Sequence, residues 1–289
     1  MPTSTFVQDK SNILLFTTRL SEDLLHFWQD EFNFECSLRL LGDLVLQQKI
    51  INIKSPEQRY KALLSSLFTR YVINKLLGSS NKFKAVDFTI TEYGKPTLPF
   101  FQFNMSSSND ILAMVVEFSS DPIGVDLSHS KQQISETDYL DQFGPIFDKK
   151  EISQVNSYFQ FNYFWTLKEA FTKLIGSGLN IDLSDVYFTV NGEFTEDEYN
   201  FCHPDTKFEV QEYSLKWFDK VTINIDKLKY KKDPFVGNLQ KEDFYCHSSI
   251  LQNRDNDKHP VIVTIINQNP DKKIQPVELY FERILEQYI

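Results

Sequence analysis

A carboxylate stands inside an apolar segment of this 289-residue chain. Asp126 lies between Val125 and Leu127, and Ser128 points to the same side of a strand because side chains alternate along it. Aspartate is unfavourable within a strand, and a carboxylate among apolar side chains needs a cation or a metal ion as its partner. Asp126 therefore either binds such a partner or caps a turn where the strand ends.

A second group of residues that could bind a ligand or take part in a reaction lies about forty positions further along the sequence. If residues 164–173 form a helix, Trp165, Glu169 and Lys173 share one face. Glu169 is then a candidate metal ligand and Lys173 a candidate phosphate contact. The alternative is an ordinary surface Glu–Lys pair, which stabilises a helix by about 0.2–0.5 kcal/mol.

The two groups together suit a magnesium pyrophosphate site. Mg²⁺ takes oxygen ligands, commonly one or two carboxylates with waters and substrate phosphates completing its shell. A strand carboxylate and a helix carboxylate with lysines nearby supply this combination.

The elements that position these residues are predicted from capping and periodicity. A helix is expected at 55–77, because Ser55 is an N-cap, Pro56 suits the first helical position and Gly78 follows the last apolar residue. Asp121-Pro122 predicts a turn joining strands 111–118 and 123–127 in a hairpin. Further helices are predicted at 22–32, 148–160 and 161–175, and further strands at 85–91, 208–213, 222–226, 244–250 and 261–266.

The order of helices followed by strands, repeated twice, predicts an α+β protein in two halves. The halves are residues 1–120 and 121–289. With 41% hydrophobic and 15% aromatic residues, the chain can fill a large core, which excludes global disorder. Apolar runs of about six residues are too short for a membrane helix, which needs about 20.

Charge and cysteine content narrow the function classes. The net charge of −10 disfavours a nucleic-acid binder. Three cysteines and the lack of a secretory signal indicate a reducing cytoplasm. The pairs Cys202-His203 and Cys246-His247 lack the usual zinc spacing. Residues 49–95 carry nine basic and three acidic side chains, which indicates either a site for a small anion or a solvated helix face.

Three blocks of the sequence resemble the 4′-phosphopantetheinyl transferase superfamily of the surfactin-synthetase type, most closely its fungal branch. The blocks are Tyr93-Gly94-Lys95-Pro96 with Phe103-Asn104-Met105-Ser106; Ile123-Gly124-Val125-Asp126-Leu127; and Phe164-Trp165-Thr166-Leu167-Lys168-Glu169-Ala170-Phe171-Thr172-Lys173 with Gly176-Ser177-Gly178-Leu179. The resemblance implies transfer of phosphopantetheine from coenzyme A to a carrier-domain serine, with release of adenosine 3′,5′-bisphosphate. It also implies a cytoplasmic monomer whose two α+β halves are pseudo-symmetric, with the active site between them. In the fungal branch the carrier belongs to α-aminoadipate reductase of lysine biosynthesis.

The resemblance also implies roles for individual residues. Asp126 and Glu169 match magnesium ligands in the second half, and Glu169 is also placed to accept the serine proton. Lys168 and Lys173 match catalytic and phosphate-contacting lysines. Coenzyme A contacts are expected in the first half, from Lys95, Arg59, Lys61, Ser106 and Ser107.

Two positions depart from the family pattern. Ser107 stands where the family commonly has a histidine that contacts a coenzyme A phosphate, and Ser128 stands where it often has a second acid. A non-catalytic protein that binds coenzyme A or the carrier is therefore an alternative, and an unrelated Mg²⁺ phosphohydrolase is another.

Overall fold

The computed structural model describes residues 10–129, 138–178, 180–195, 208–225, 243–251 and 260–289. These residues form both helices and separate sheets, which confirms the α+β class. The α-helices are α1 Glu22–Gln29, α2 Glu31–Arg39, α3 Leu44–Ile51, α4 Pro56–Leu76, α5 Tyr139–Phe143, α6 Lys149–Ile152, α7 Tyr158–Ile175 and α8 Phe281–Leu285. The strands are β1 Ile13–Arg19, β2 Thr89–Ile90, β3 Pro96–Thr97, β4 Gln102–Ser108, β5 Ile111–Glu117, β6 Gly124–His129, β7 Val186–Val190, β8 Val210–Glu212, β9 Val221–Ile225, β10 Tyr245–Leu251, β11 Val261–Asn267 and β12 Ile274–Leu279.

A five-stranded sheet in the order β4-β5-β1-β12-β8 combines three strands from residues 13–117 with two strands from later in the chain. Strands β1 and β12 run parallel, and the other pairs of this sheet are antiparallel. Every residue of β1 and β5 is buried, as expected for strands covered on both faces. One face packs against helical residues such as Trp28 and Phe68, and the other packs against a second sheet.

The second sheet has three strands in the order β10-β11-β6, all antiparallel. One face of β11, with Val263 and Ile265, meets the first sheet. The opposite face, with Ile262 and Ile266, packs among residues of α7. The resulting layers are helices, sheet, sheet and helix, so strand β6 lies against helix α7.

Local signals predicted the bounds of one helix well, whereas the predicted helices 148–160 and 161–175 are in fact α6, which ends at Ile152, and α7, which begins at Tyr158. Helix α4 begins after Ser55, whose side chain accepts from the Gln58 amide, and ends just before Gly78. The helix predicted at 22–32 is in fact two helices, because Asp30 is extended and its carboxylate accepts from the amides of Phe32 and Asn33. That capping starts α2 in a new direction.

The predicted hairpin of 111–118 and 123–127 is wrong. Strand β5 pairs with β1 and β4, whereas β6 pairs with β11 in the other sheet. A turn sequence indicates a change of direction but does not specify the partner strand. The segment 85–91 forms a strand only at Thr89–Ile90.

Strand β12 was not predicted, and although it belongs to the predicted second half it joins, with α8, the sheet and the core that contain β1. The division of the chain into domains at residue 120 stays a prediction. Leu179, Cys202 and His203 lie outside the described residues. No helix in the described parts of the chain is long and apolar enough to cross a membrane.

Candidate active site

Three polar side chains from three elements meet between the two sheets and α7. The Lys173 amine lies 2.6 Å from Asp126 Oδ1 and 3.0 Å from Ser106 Oγ. Ser106 donates its hydroxyl hydrogen to Asp126 Oδ1 over 2.9 Å. The structure thus brings together Ser106, Asp126 and Lys173, each of which the sequence predicts in the site.

The polar residues of β4 attach this strand to β6. Asn104 Oδ1 accepts from the Val125 amide at 3.4 Å, and Ser106 Oγ accepts from the Leu127 amide at 3.1 Å. Ser108 Oγ lies 2.6 Å from the Nδ1 of His129. Side chains at every second position of a strand share a face, so this polar face of β4 fixes the position of Asp126.

The sequence analysis did not predict that Asn104, Ser108 and His129 join β4 to β6. The alternation of polar residues at 104, 106 and 108 could have indicated one polar face on β4. Their shared partner strand was not visible, because β4 and β6 belong to different sheets.

A glycine permits the close approach of β6 to α7. A Cβ atom built at Gly124 would lie 2.0 Å from the Ala170 carbonyl oxygen and 2.7 Å from the Leu174 amide nitrogen. Both are backbone atoms, which cannot move aside as a flexible side chain can. Gly124 therefore sets the spacing at which Lys173 reaches Asp126.

Glu169 contributes a second carboxylate. Burial raises the pKa of Glu169, the negative charge of Asp126 raises it further, and Lys173 opposes both effects. Burial also raises the pKa of Asp126, although the Lys173 ammonium and the Ser106 hydroxyl favour its charged form. The two carboxylates repel each other, and a cation between them would relieve that repulsion.

A groove of about 250 Å³ opens beside this cluster. Its walls combine apolar, neutral polar and cationic side chains, namely Tyr93, Lys95, Pro96, Phe103, Asn104, Met105, Thr172 and Lys173, with Gly94, Gly176 and Gly178. The Lys95 amine donates to the carbonyl oxygens of Lys173 at 2.7 Å and Leu174 at 3.0 Å. Burial lowers the pKa of Lys95 to about 8. Lys95 thus ties the groove to the carboxyl-terminal end of α7.

Lys168 does not join the cluster. Its side chain is 1% exposed and its amine lies 2.7 Å from Glu151 Oε2, with further hydrogen bonds to the carbonyl oxygens of Leu183 and Val186. Glu151 is equally buried and accepts from the Phe188 amide at 2.9 Å. Although adjacent to Glu169 in sequence, Lys168 lies on another face of α7 and joins the helix to α6 and to Leu183 and Val186.

Other predicted residues are placed away from the cluster. Arg59 donates to the Ile53 carbonyl oxygen, and Lys61 pairs with Glu57 and Asp110. Ser107 is exposed on β4. Ser128 faces α7 as Asp126 does, but its hydroxyl donates to Asn162 Oδ1 at 3.1 Å, near the opposite end of that helix.

The chemistry of the donors fits a magnesium ion. Asp126 and Glu169 offer carboxylate oxygens next to Lys173, which lines the groove, and Mg²⁺ commonly uses only one or two protein carboxylates. Among the described residues there is no cluster of three or more histidine, cysteine or acidic side chains able to hold a metal ion. Waters and substrate oxygens would therefore fill the remaining positions. Cys246 is buried within β10, and burial raises the pKa of its thiol.

Comparison with known proteins finds a family whose profile matches part of the chain. A sequence profile of the 4′-phosphopantetheinyl transferase superfamily matches residues 122–224, the region that contains Asp126, Glu169 and Lys173. The chain carries a 4′-phosphopantetheinyl transferase superfamily domain.

Named members of the superfamily are similar over more of the chain. The L-aminoadipate-semialdehyde dehydrogenase-phosphopantetheinyl transferase of Saccharomyces cerevisiae is 28% identical over 78% of this chain and 85% of its own length. A 4′-phosphopantetheinyl transferase of Aneurinibacillus migulanus is 29% identical over 50% of this chain and 60% of its own. One from Bacillus subtilis is 30% identical over 44% of this chain and 57% of its own. The similarity to the yeast protein extends across both halves.

Proposed function

We propose that this chain is a magnesium-dependent 4′-phosphopantetheinyl transferase. It moves the phosphopantetheine arm of coenzyme A to a serine of an apo carrier domain and releases adenosine 3′,5′-bisphosphate. The observation that carries the proposal is the 2.6 Å contact of Asp126 with Lys173, a residue that lines the groove, with the charge of Glu169 acting on both, within the region matched by the superfamily profile.

The groove suits a ligand that is part apolar and part anionic. Tyr93, Phe103 and Met105 offer apolar contacts for a pantetheine arm, and Lys95 and Lys173 offer positive charge for its phosphates. Arg59 and Lys61 are proposed for the nucleotide end. Both would have to exchange their present partners for phosphate oxygens.

The cluster residues have distinct tasks in the reaction. Asp126 and Glu169 would hold Mg²⁺, which when bound neutralises the pyrophosphate and orients it. Lys173 donates to a pyrophosphate oxygen, and such a contact strengthens as charge develops on the leaving group. Glu169 takes the serine proton directly or through a water.

The names of the fungal relatives suggest the carrier. Two of them are aminoadipate-semialdehyde dehydrogenase phosphopantetheinyl transferases, from Saccharomyces cerevisiae and Candida glabrata. We infer that the native acceptor is the carrier domain of α-aminoadipate reductase, which places the enzyme in lysine biosynthesis. A cytoplasmic monomer is part of the same proposal.

The test is to incubate the protein with coenzyme A, Mg²⁺ and the apo carrier domain, and to measure the intact mass of the carrier. A gain of one phosphopantetheine supports the proposal. Binding of coenzyme A with no change in carrier mass would instead indicate a non-catalytic binder. Coenzyme A cleavage that needs no carrier would indicate a hydrolase.

A further inference from the structure

The Lys173 amine occupies one of the two carboxylate oxygens of Asp126. Asp126 Oδ1 accepts hydrogen bonds from Lys173 at 2.6 Å and from Ser106 at 2.9 Å. An ionised carboxylate offers about four lone-pair positions, or about two on each oxygen. Both positions on Oδ1 are therefore filled, and this oxygen can bind a cation only after one of the donors leaves.

Ser106 cannot easily be the donor that leaves. Its hydroxyl donates to Asp126 and accepts from both Lys173 and the Leu127 amide, so its one hydrogen and two lone pairs are all used. It is held by the backbone of β6. Lys173, by contrast, has a long side chain that is 28% exposed and borders the groove.

The backbone under Lys173 is fixed while its side chain has room to move. Lys95 holds the carbonyl oxygens of Lys173 and Leu174, and Gly176 follows with a left-handed φ of 77° that ends α7. A phosphate in the groove would attract the Lys173 amine, and α7 would not have to shift. Once the amine has left, Asp126 and Glu169 lose the positive charge that offsets their repulsion. The uncovered carboxylate pair then attracts a divalent cation.

We propose that Lys173 acts as an exchangeable plug that makes metal binding depend on coenzyme A. In the free protein the amine covers Asp126 and weakens binding of divalent cations. The pyrophosphate of coenzyme A draws the amine into the groove and uncovers Asp126, so coenzyme A and metal bind cooperatively. This inference rests on the proposed function, since it takes coenzyme A as the ligand of the groove.

The experiment titrates Mn²⁺ as the probe, using its electron paramagnetic resonance signal, with no carrier present so that no transfer occurs. Without coenzyme A, Lys173→Met should bind Mn²⁺ more tightly than the wild type by a factor of roughly 5 to 150, the usual range of coupling between sites. Coenzyme A should raise the Mn²⁺ affinity of the wild type, and its effect should be smaller in Lys173→Met.

A matched variant separates displacement from simple charge. Lys95→Met also removes one positive charge at the groove, but Lys95 donates to backbone carbonyl oxygens and not to Asp126. Its Mn²⁺ affinity should rise much less than that of Lys173→Met, and Asp126→Asn should bind Mn²⁺ poorly with or without coenzyme A. Circular dichroism checks folding, and Lys173→Gln serves as a second variant.

Equal increases in Mn²⁺ affinity in Lys95→Met and Lys173→Met would overturn the plug. Tight Mn²⁺ binding by the wild type that coenzyme A does not change would also overturn it. Either result would leave phosphopantetheine transfer intact, because transfer is scored separately on the carrier mass. Failure of transfer, together with a coenzyme A effect on Mn²⁺ affinity that is smaller in Lys173→Met than in the wild type, would refute the proposed reaction and keep the plug.

Discussion

Asp126 and Lys173 are 47 residues apart in sequence, yet their charged atoms lie 2.6 Å from each other. The contact joins the middle of strand β6 to the last turn of α7. It depends on Gly124, which lets the strand approach the helix backbone, and on Ser106, which bonds to both partners. The ion pair is thus held by three elements and not by two surface side chains alone.

Glu169→Gln keeps the shape of the side chain and removes its charge. We expect kcat to fall at least about a hundredfold, equivalent to about 2.7 kcal/mol. The melting temperature should stay the same or rise slightly, because the charge repulsion with Asp126 is relieved. Steady-state kinetics and thermal melts measure the two effects. Glu57→Gln is the control, because Glu57 also precedes a lysine by four residues but on the exposed part of α4. Wild-type turnover in Glu169→Gln at saturating Mg²⁺ would show that Glu169 forms an ordinary surface pair and takes no part in the reaction.

Lys168→Met should lower stability and leave chemistry nearly intact. It removes one partner of a buried ion pair, a change that typically costs about 3–5 kcal/mol. Adding Glu151→Gln removes the buried carboxylate charge that Lys168→Met leaves without its partner, and should recover part of the lost stability. Urea unfolding measures stability, and kcat per folded molecule, measured at low temperature, should stay within about twofold of the wild type. A large fall in kcat without loss of stability would show that Lys168 is catalytic, as the family resemblance implied.

Lys95 should give the reaction an upper pH limit. Its pKa of about 8 means that raising the pH through 8 removes a positive charge from the groove of the free enzyme. We expect kcat/KM for coenzyme A to fall about tenfold between pH 7 and pH 9, because this ratio reports ionisations of the free protein. In Lys95→Arg the guanidinium stays charged, and the decline should disappear from this range. The same decline in both proteins would assign it to another group.

Gly124→Ala tests how closely β6 and α7 must approach. The added methyl group would meet backbone atoms, so strand and helix must separate at a cost of about 1–3 kcal/mol or more. Displacing Asp126 from Glu169 and Lys173 by about 1 Å should reduce kcat about a hundredfold. Gly144→Ala is the matched control, because a Cβ there meets nothing within 4 Å. Unchanged kcat in Gly124→Ala would show that the spacing is not needed for activity.

Features set by neighbouring residues were predictable from the sequence. Helix α4 has its cap at Ser55, proline at its first position and Gly78 after it, and the structure gives nearly the predicted bounds. The shared face of Glu169 and Lys173 follows from helical periodicity. Asp126 was recognisable because a carboxylate within an apolar strand needs a partner.

Features set by distant residues were not predictable in this way. The turn at Asp121-Pro122 gave no information on which sheet β6 would enter. Lys168 lies beside Glu169 in α7, and the sequence does not show that its partner is Glu151. Glu151 comes from α6 and is buried with Lys168. The saturation of Ser106 by three partners depends on two sheets and a helix meeting at one point.

The most direct measurement compares Asp126→Asn with Asp110→Asn in phosphopantetheine transfer to the apo carrier, scored by intact mass. Both variants remove one carboxylate charge, but Asp110 pairs with Lys61 outside the cluster. The account predicts that the wild type and Asp110→Asn convert the carrier fully. Asp126→Asn should be slower by at least about a hundredfold, or about 2.7 kcal/mol, while keeping its fold by circular dichroism. Conversion by folded Asp126→Asn at more than about a tenth of the wild-type rate, a loss below about 1.4 kcal/mol, would contradict the assignment of Asp126 to the reaction.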